Sequence, residues 1–292
     1  MNTRSLLNLT LAGIAIVLGL VVFYKPGLAP PPVPESITGL SADSITRIRV
    51  TRKERMPLNF VRTANGWQLE NDRVLPASQF QLHALLGVLS ARPGRSYPDN
   101  ALNLADAGLD PPQATLLLND TLIYIGGTTP LDRLRYVQHD DTVYLLNDTY
   151  QHLVNADWTN FVERRLVPAD AVLTGLQLPD FTLTRDDAQQ WQVLPQGRDS
   201  ATAGLDALVQ NWQAADATYI RRYDEHATEG TPIILTLADN RPAVKLYLDA
   251  REPELILTRP DWGIQYYLPG NMSATLLGLP ADAMSDTPAT QP

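Results

Sequence analysis

The 292-residue chain contains no cysteine, so disulfides, thiolate metal ligands, cysteine nucleophiles and a lipidated N-terminal cysteine are all excluded, although the compartment is left open. Positive charge is also short. The 23 Lys+Arg face 32 Asp+Glu for a formal net charge of -9, which repels phosphate overall, and no nucleic-acid partner is expected. Histidine is scarce and scattered: His83, His139, His152 and His226 lack ligand spacing, and only His139 has immediate acidic neighbours, Asp140 and Asp141. Four further signals are missing, namely a Gly-x-x-x-x-Gly-Lys-Ser/Thr loop, a Gly-x-Gly-x-x-Gly opening a helix, a Gly-x-Ser-x-Gly elbow and a His-Glu-x-x-His helix. No catalytic residue, no metal ligand and no cofactor is therefore expected. His139 and the Asp186-Asp187 pair read as turn or surface groups.

Long apolar runs are lacking with one exception. Hydrophobic residues at 44% and charged residues at 19% are ordinary globular usage, yet Leu6 to Tyr24 is 19 residues without a charge, long enough at about 1.5 Å per residue to span a bilayer. Gly27-Leu28-Ala29 resembles a signal-peptidase site, but Pro30 follows it directly and hinders cleavage, so a retained transmembrane anchor is the expectation. Residues 1–5, with Arg4, are placed in the cytoplasm. The bulk of the chain is then expected outside the cytoplasm, held by a single membrane pass. Residues 25–36 carry five prolines and read as a stiff polyproline stalk. Residues 281–292 read as a disordered polar tail.

Between stalk and tail the sequence repeats itself. Phe60 to Leu69 resembles Leu183 to Val193, each an apolar strand with an Arg, a polar turn and then Trp-Gln-aliphatic at Trp67 and Trp191. Both are followed by a helical pattern, with Phe80, Leu82, Leu85, Leu86 and Leu89 in the first and Leu205, Leu208, Val209 and Trp212 in the second. Tyr97 with Asp99 matches Tyr223 with Asp224. Ile123-Tyr-Ile125 matches Leu246-Tyr-Leu248, and Tyr144-Leu145 matches Tyr267-Leu268. The near-constant offset predicts two tandem α+β modules, 37–167 and 168–280, each an antiparallel sheet packed with a helix, in the order strand, strand, helix, four strands. Asn65-Gly66, Gly126-Gly127, Asp140-Asp141 and Asp239-Asn240 are expected as hairpin turns. Trp67, Trp191 and Trp212 are expected in the core.

Several stretches also resemble the bacterial domain of unknown function 4340 family: Trp67 after a hairpin Gly, Ala107-Gly-Leu-Asp-Pro-Pro112, Ile123-Tyr-Ile-Gly126, Arg135-Tyr-Val137, Val143-Tyr-Leu145 and Glu163-Arg-Arg-Leu166. The likeness covers about residues 37 to 280 and is strongest in the first module. It implies a bacterial protein with one N-terminal span in the inner membrane, an extracytoplasmic region and, for some members, association with gliding-motility-type ABC transporter auxiliary proteins. The second module departs from the pattern, with Glu229-Gly-Thr-Pro232 where the first has Gly-Leu-Asp-Pro-Pro.

One charged cluster stands out near the stalk. Arg47, Arg49, Arg52, Lys53 and Arg55 crowd the first strand, whose alternation puts Ile48 and Val50 on one face and Arg47 and Arg49 on the other. A solvated face is the plain reading; contact with anionic lipid or an acidic partner is the functional one. The expected function is a non-enzymatic, membrane-anchored binding or scaffolding subunit of an envelope complex, with an ABC transporter as the candidate partner complex and the bilayer as the anchor's partner. The alternatives are an enzyme acting on an envelope glycan or lipid from a groove between the modules, and a structural spacer.

Overall fold

The computed structural model describes residues 12–19, 36–186, 188–195, 202–223 and 230–278. Most of the stalk, both ends of the apolar run, the proposed cleavage site, Asp187, Asp224, His226, Glu229 and the tail lie outside these residues. Residues 12–19 (α1) are helical, with Ile14, Ile16, Val17 and Leu18 exposed. Among the described residues no helix is long and apolar enough to cross a membrane.

The rest is α+β, mostly antiparallel strands in two sheets with a few short helices. The first sheet holds β1 (Arg47–Arg52), β2 (Arg55–Thr63), β3 (Gly66–Glu70), β4 (Val74–Pro76), β5 (Arg95–Pro98), β6 (Ala114–Leu118), β7 (Thr121–Thr128), β8 (Leu134–His139) and β9 (Thr142–Asn147). Their order is β4-β3-β2-β1-β6-β7-β8-β9-β5. The second holds β10 (Leu173–Gln177), β11 (Thr182–Arg185), β12 (Trp191–Leu194), β13 (Tyr219–Arg222), β14 (Thr231–Leu237), β15 (Val244–Ala250), β16 (Glu254–Arg259) and β17 (Ile264–Pro269), ordered β12-β11-β10-β14-β15-β16-β17-β13. With β4 set aside, the two orders correspond strand for strand. The sequence anticipated two strands before each helix and four after; the structure has at least three before and five after. The additional strand after each helix is short, four residues in β5 and in β13, with too little alternation to be read.

Equivalent strands also share register. Trp67 pairs with Arg62 and Trp191 with Arg185. Ile125 pairs with Val137, and Val137 with Tyr144; the counterpart row is Leu248, Leu257 and Tyr266. Tyr144 thus corresponds by facing to Tyr266, one residue from the sequence match with Tyr267, because the connections between the paired strands differ in length and a one-residue slip exchanges the faces. Likewise Tyr97 lies on β5, whereas Tyr223 falls just beyond β13.

The contacts divide the chain into two compact units. One contains Val88–Gln113 and Leu122–Asp148. Its small core joins Ala107, Leu109 and Val143, with Tyr124 and Tyr136 packed against them. Gly126 and Gly127, anticipated as a turn, are instead inside β7, at a shift in register between Ile125 and Thr128. The cause is close approach: the Gly127 amide donates to the Ala107 carbonyl at 2.7 Å, and a Cβ on Gly126 would collide with that same oxygen. Arg135 is buried beside this strand, donating to both Asp148 oxygens, at 2.9 and 2.6 Å, and to the Gly126 carbonyl at 2.6 Å.

The other unit contains Ala42–Gly87, Ala114–Thr121 and the residues from Thr149 onward. Helix α2 (Gln79–Leu86) starts at Ser78, whose hydroxyl accepts from the Gln81 amide. Eight residues are too few for an isolated helix; burial of Leu82, Leu85 and Leu86, each contributing about 1.5–3 kcal/mol, holds it in place. Phe80, anticipated on the buried stripe, is 79% exposed, because it falls on the side of the first turn away from those leucines. Beyond α3 (Gln151–Val154), α4 (Thr202–Ala214) buries Leu205, Leu208, Val209 and Trp212. The Trp212 indole donates to the Leu276 carbonyl of α5 (Met272–Leu277) at 2.7 Å, which ties the two helices together. Asp140, Asp239 and Asn240 take positive φ in tight turns, as hairpin chemistry requires.

Candidate functional site

The second unit contains a cleft of about 1040 Å³, at the upper end of the range for small-ligand sites. Leu58, Leu69 and Leu75 floor it and belong to the core. Four arginines, Arg52, Arg55, Arg73 and Arg222, line it against two carboxylates, Asp72 and Asp157, with Trp158, Tyr223, Trp262 and Met56 as apolar and aromatic wall. Among the described residues positive charge is thus gathered in one place, on a chain whose net charge is -9.

Each cation is held differently. β1 alternates exposed and buried residues from Arg47 to Arg52, so Arg52 lands on the buried side with Ile48 and Val50. Its guanidinium donates to the carbonyls of Val154 at 3.4 Å, Ala156 at 2.5 Å and Met56 at 3.2 Å. It therefore fastens the end of α3 to the β1–β2 hairpin. Burial pulls its pKa below the usual arginine value and the Arg55 charge adds to this, with Asp157 opposing. Arg55 is exposed and donates to the Asn155 carbonyl at 2.6 Å. Arg222 stands 3.9 Å from Asp157 and 5.8 Å from the Trp158 ring centre. Arg73 donates to the Pro260 carbonyl at 3.3 Å. Gly263, next to Trp262, has φ +68 and leaves no room for a Cβ beside the Arg73 guanidinium. The indole of Trp262 is itself stacked under Arg259, 3.4 Å from ring centre to guanidinium carbon.

This arrangement separates the five basic residues singled out from sequence. Arg52 and Arg55 line the cleft, and Arg52, read as part of a surface cluster, is in fact buried because its position continues the Ile48–Val50 face. Arg47 and Arg49 sit on the exposed face, Arg47 3.7 Å from Asp120 and Arg49 bonded to Asn59 at 2.7 Å. Lys53 is exposed beside Glu54 at 3.9 Å. His139 contacts the Leu122 carbonyl through Nδ1 at 3.0 Å, and Asp186 accepts from the Gln190 amide within its turn. Among the described residues no group of three or more His, Asp or Glu is placed to hold a metal ion.

Sequence reasoning missed Arg73, Arg222, Trp158 and Trp262. One signal was available. Of the five tryptophans, Trp67, Trp191 and Trp212 have repeat-equivalent core positions and are buried; Trp158 and Trp262 have no repeat counterpart, and both line the cleft.

The family model for a domain of unknown function (DUF4340) matches residues 67–228, more than half of the chain. The chain belongs to that family. No curated protein and no solved structure matches it.

Proposed function

We propose that this protein is a membrane-anchored, extracytoplasmic binding or scaffolding subunit of an envelope complex, with an ABC transporter as the complex to test first. In this reading the uncharged run Leu6 to Tyr24 is a single transmembrane helix in the bacterial inner membrane, and the proline-rich stretch holds two modules of one design near the bilayer. The observation that carries it is the wall of the cleft. Arginine, tryptophan, tyrosine and methionine are the side chains enriched in protein-binding surfaces, and they converge here on a floor of core leucines. Tethering supports the same reading, since it raises effective concentration enough for a weak interface to be occupied.

Complementation of a deletion strain tests the proposal. The anchored chain is expected to restore the phenotype, and the same chain released through a cleavable signal is expected not to. If the released form works equally well, tethering has no part in the mechanism. A second reading, an enzyme acting on an envelope glycan or lipid, draws on the concavity of the cleft and on Asp157 within it; it gains if the released form complements and Asp157→Asn does not.

A further inference from the structure

We propose that the arginine-lined cleft receives an acidic segment of a protein partner. This rests on the binding-subunit reading and specifies its ligand. Charge points to such a ligand. Among the described residues four guanidiniums meet two carboxylates in the cleft, and the hydrogen bonds of Arg52 and Arg55 go to backbone carbonyls, which do not cancel a formal charge. Guanidiniums pair with carboxylates through two parallel bonds, and those held by other contacts lose little freedom on doing so.

The shape of the cleft favours a peptide as well. Leu58, Leu69 and Leu75 are 2%, 1% and 3% exposed, so the floor is closed core and offers no channel for an acyl chain. Trp158 and Trp262 stand above it, each with an arginine near its ring, Arg222 at 5.8 Å and Arg259 at 3.4 Å. Stacking of this kind fixes the indoles as rigid walls for apolar side chains. The carboxylates Asp72 and Asp157 would repel a dense polyphosphate, whereas a peptide can place carboxylates at the arginines and apolar groups at the indoles.

The test uses the full-length chain in a zwitterionic detergent and a short fluorescein-labelled peptide of alternating Glu and Leu, with its Lys–Leu counterpart as control. Fluorescence anisotropy is expected to show saturable binding of the Glu peptide alone. The affinity is expected to fall at least about tenfold in Arg55→Glu/Arg222→Glu and to weaken as salt is raised. Arg55→Gln/Arg222→Gln, which removes the charge conservatively, is expected to lose affinity while keeping its urea midpoint. Arg47→Glu/Arg49→Glu, outside the cleft, is expected to bind as wild type. Equal binding of the Lys peptide, or indifference of both cleft variants, overturns the assignment. So does binding confined to phosphatidylglycerol-containing vesicles that the Glu peptide fails to displace, which would make the site a lipid headgroup site. Failure here, with the anchored chain still required for complementation, removes the acidic ligand and leaves the tethered-subunit reading; complementation by the released chain does the reverse.

Discussion

Arg52 carries a charge into an apolar surround and spends it on three carbonyls. Removing the guanidinium leaves those oxygens without their donor, and hydrogen bonds to charged groups contribute about 1.5–3 kcal/mol apiece, with strong overlap between them. Arg52→Met is therefore expected to lower the unfolding free energy by about 2–4 kcal/mol in a urea titration, with Arg52→Lys in between. A wild-type midpoint in Arg52→Met would show that the clasp between α3 and the β1–β2 hairpin contributes nothing. Tyr266 gives a pH dependence. Burial raises its phenol to about 12, although the Arg259 charge pulls the other way. An unfolded tyrosine ionises near 10. Below about pH 10 both states are neutral and the full stability is present; above it the unfolded state alone gains charge, and stability falls until about pH 12, by about 3 kcal/mol across the window. Tyr266→Phe is expected to lose that component, so the gap between wild type and variant should change between about pH 9.5 and 11.5. A constant gap would place Tyr266 in contact with solvent.

The elements show where backbone contact overrode sequence pattern. Gly126 lies in β7 with its Cα against the Ala107 carbonyl, so Gly126→Ala must push apart the strand and the connection that covers Tyr124 and Tyr136. Overpacking of this kind costs about 1–3 kcal/mol, and thermal unfolding is expected to show it. Trp67 and Trp191 occupy matched, buried places in β3 and β12; truncating either to Ala should cost about 3–5 kcal/mol, and a loss under about 1 kcal/mol at one of them would mean its strand contributes little to the core. Much of this was legible beforehand. Trp67, Leu85, Trp191 and Leu208 announced the repeat because core periodicity is written in local spacing. Gly126-Gly127 misled, since the residue that demands them, Ala107, is distant in sequence. Arg52 misled for a related reason: alternation places it inward, but two of the three carbonyls that make a buried guanidinium tolerable, those of Val154 and Ala156, are about a hundred residues away. The cleft was illegible as a unit, because Arg55, Arg73, Trp158, Arg222 and Trp262 share no spacing and meet only through tertiary packing.

At the scale of the whole molecule, the tether that the proposed function invokes turns on the first thirty residues. Leu6 to Tyr24 has no charge, and the described portion, 12–19, is a helix with its isoleucines and leucine facing outward. Exposed apolar side chains on an isolated helix are unfavourable in water and favourable in lipid. Cleavage after Ala29 would remove that run, but Pro30 on the far side of the bond works against it. The mature protein is accordingly expected to retain Met1, or Asn2 after removal of the initiator, and to sediment with membranes through a carbonate wash. Intact-mass measurement decides between the two outcomes. A mature chain beginning at Pro30 and recovered in the soluble fraction would turn the run into a signal peptide, leave the proline-rich stretch as a loose extension, and detach the arginine-lined cleft from the bilayer, so that any acidic partner would have to bind it tightly enough without the help of a tether.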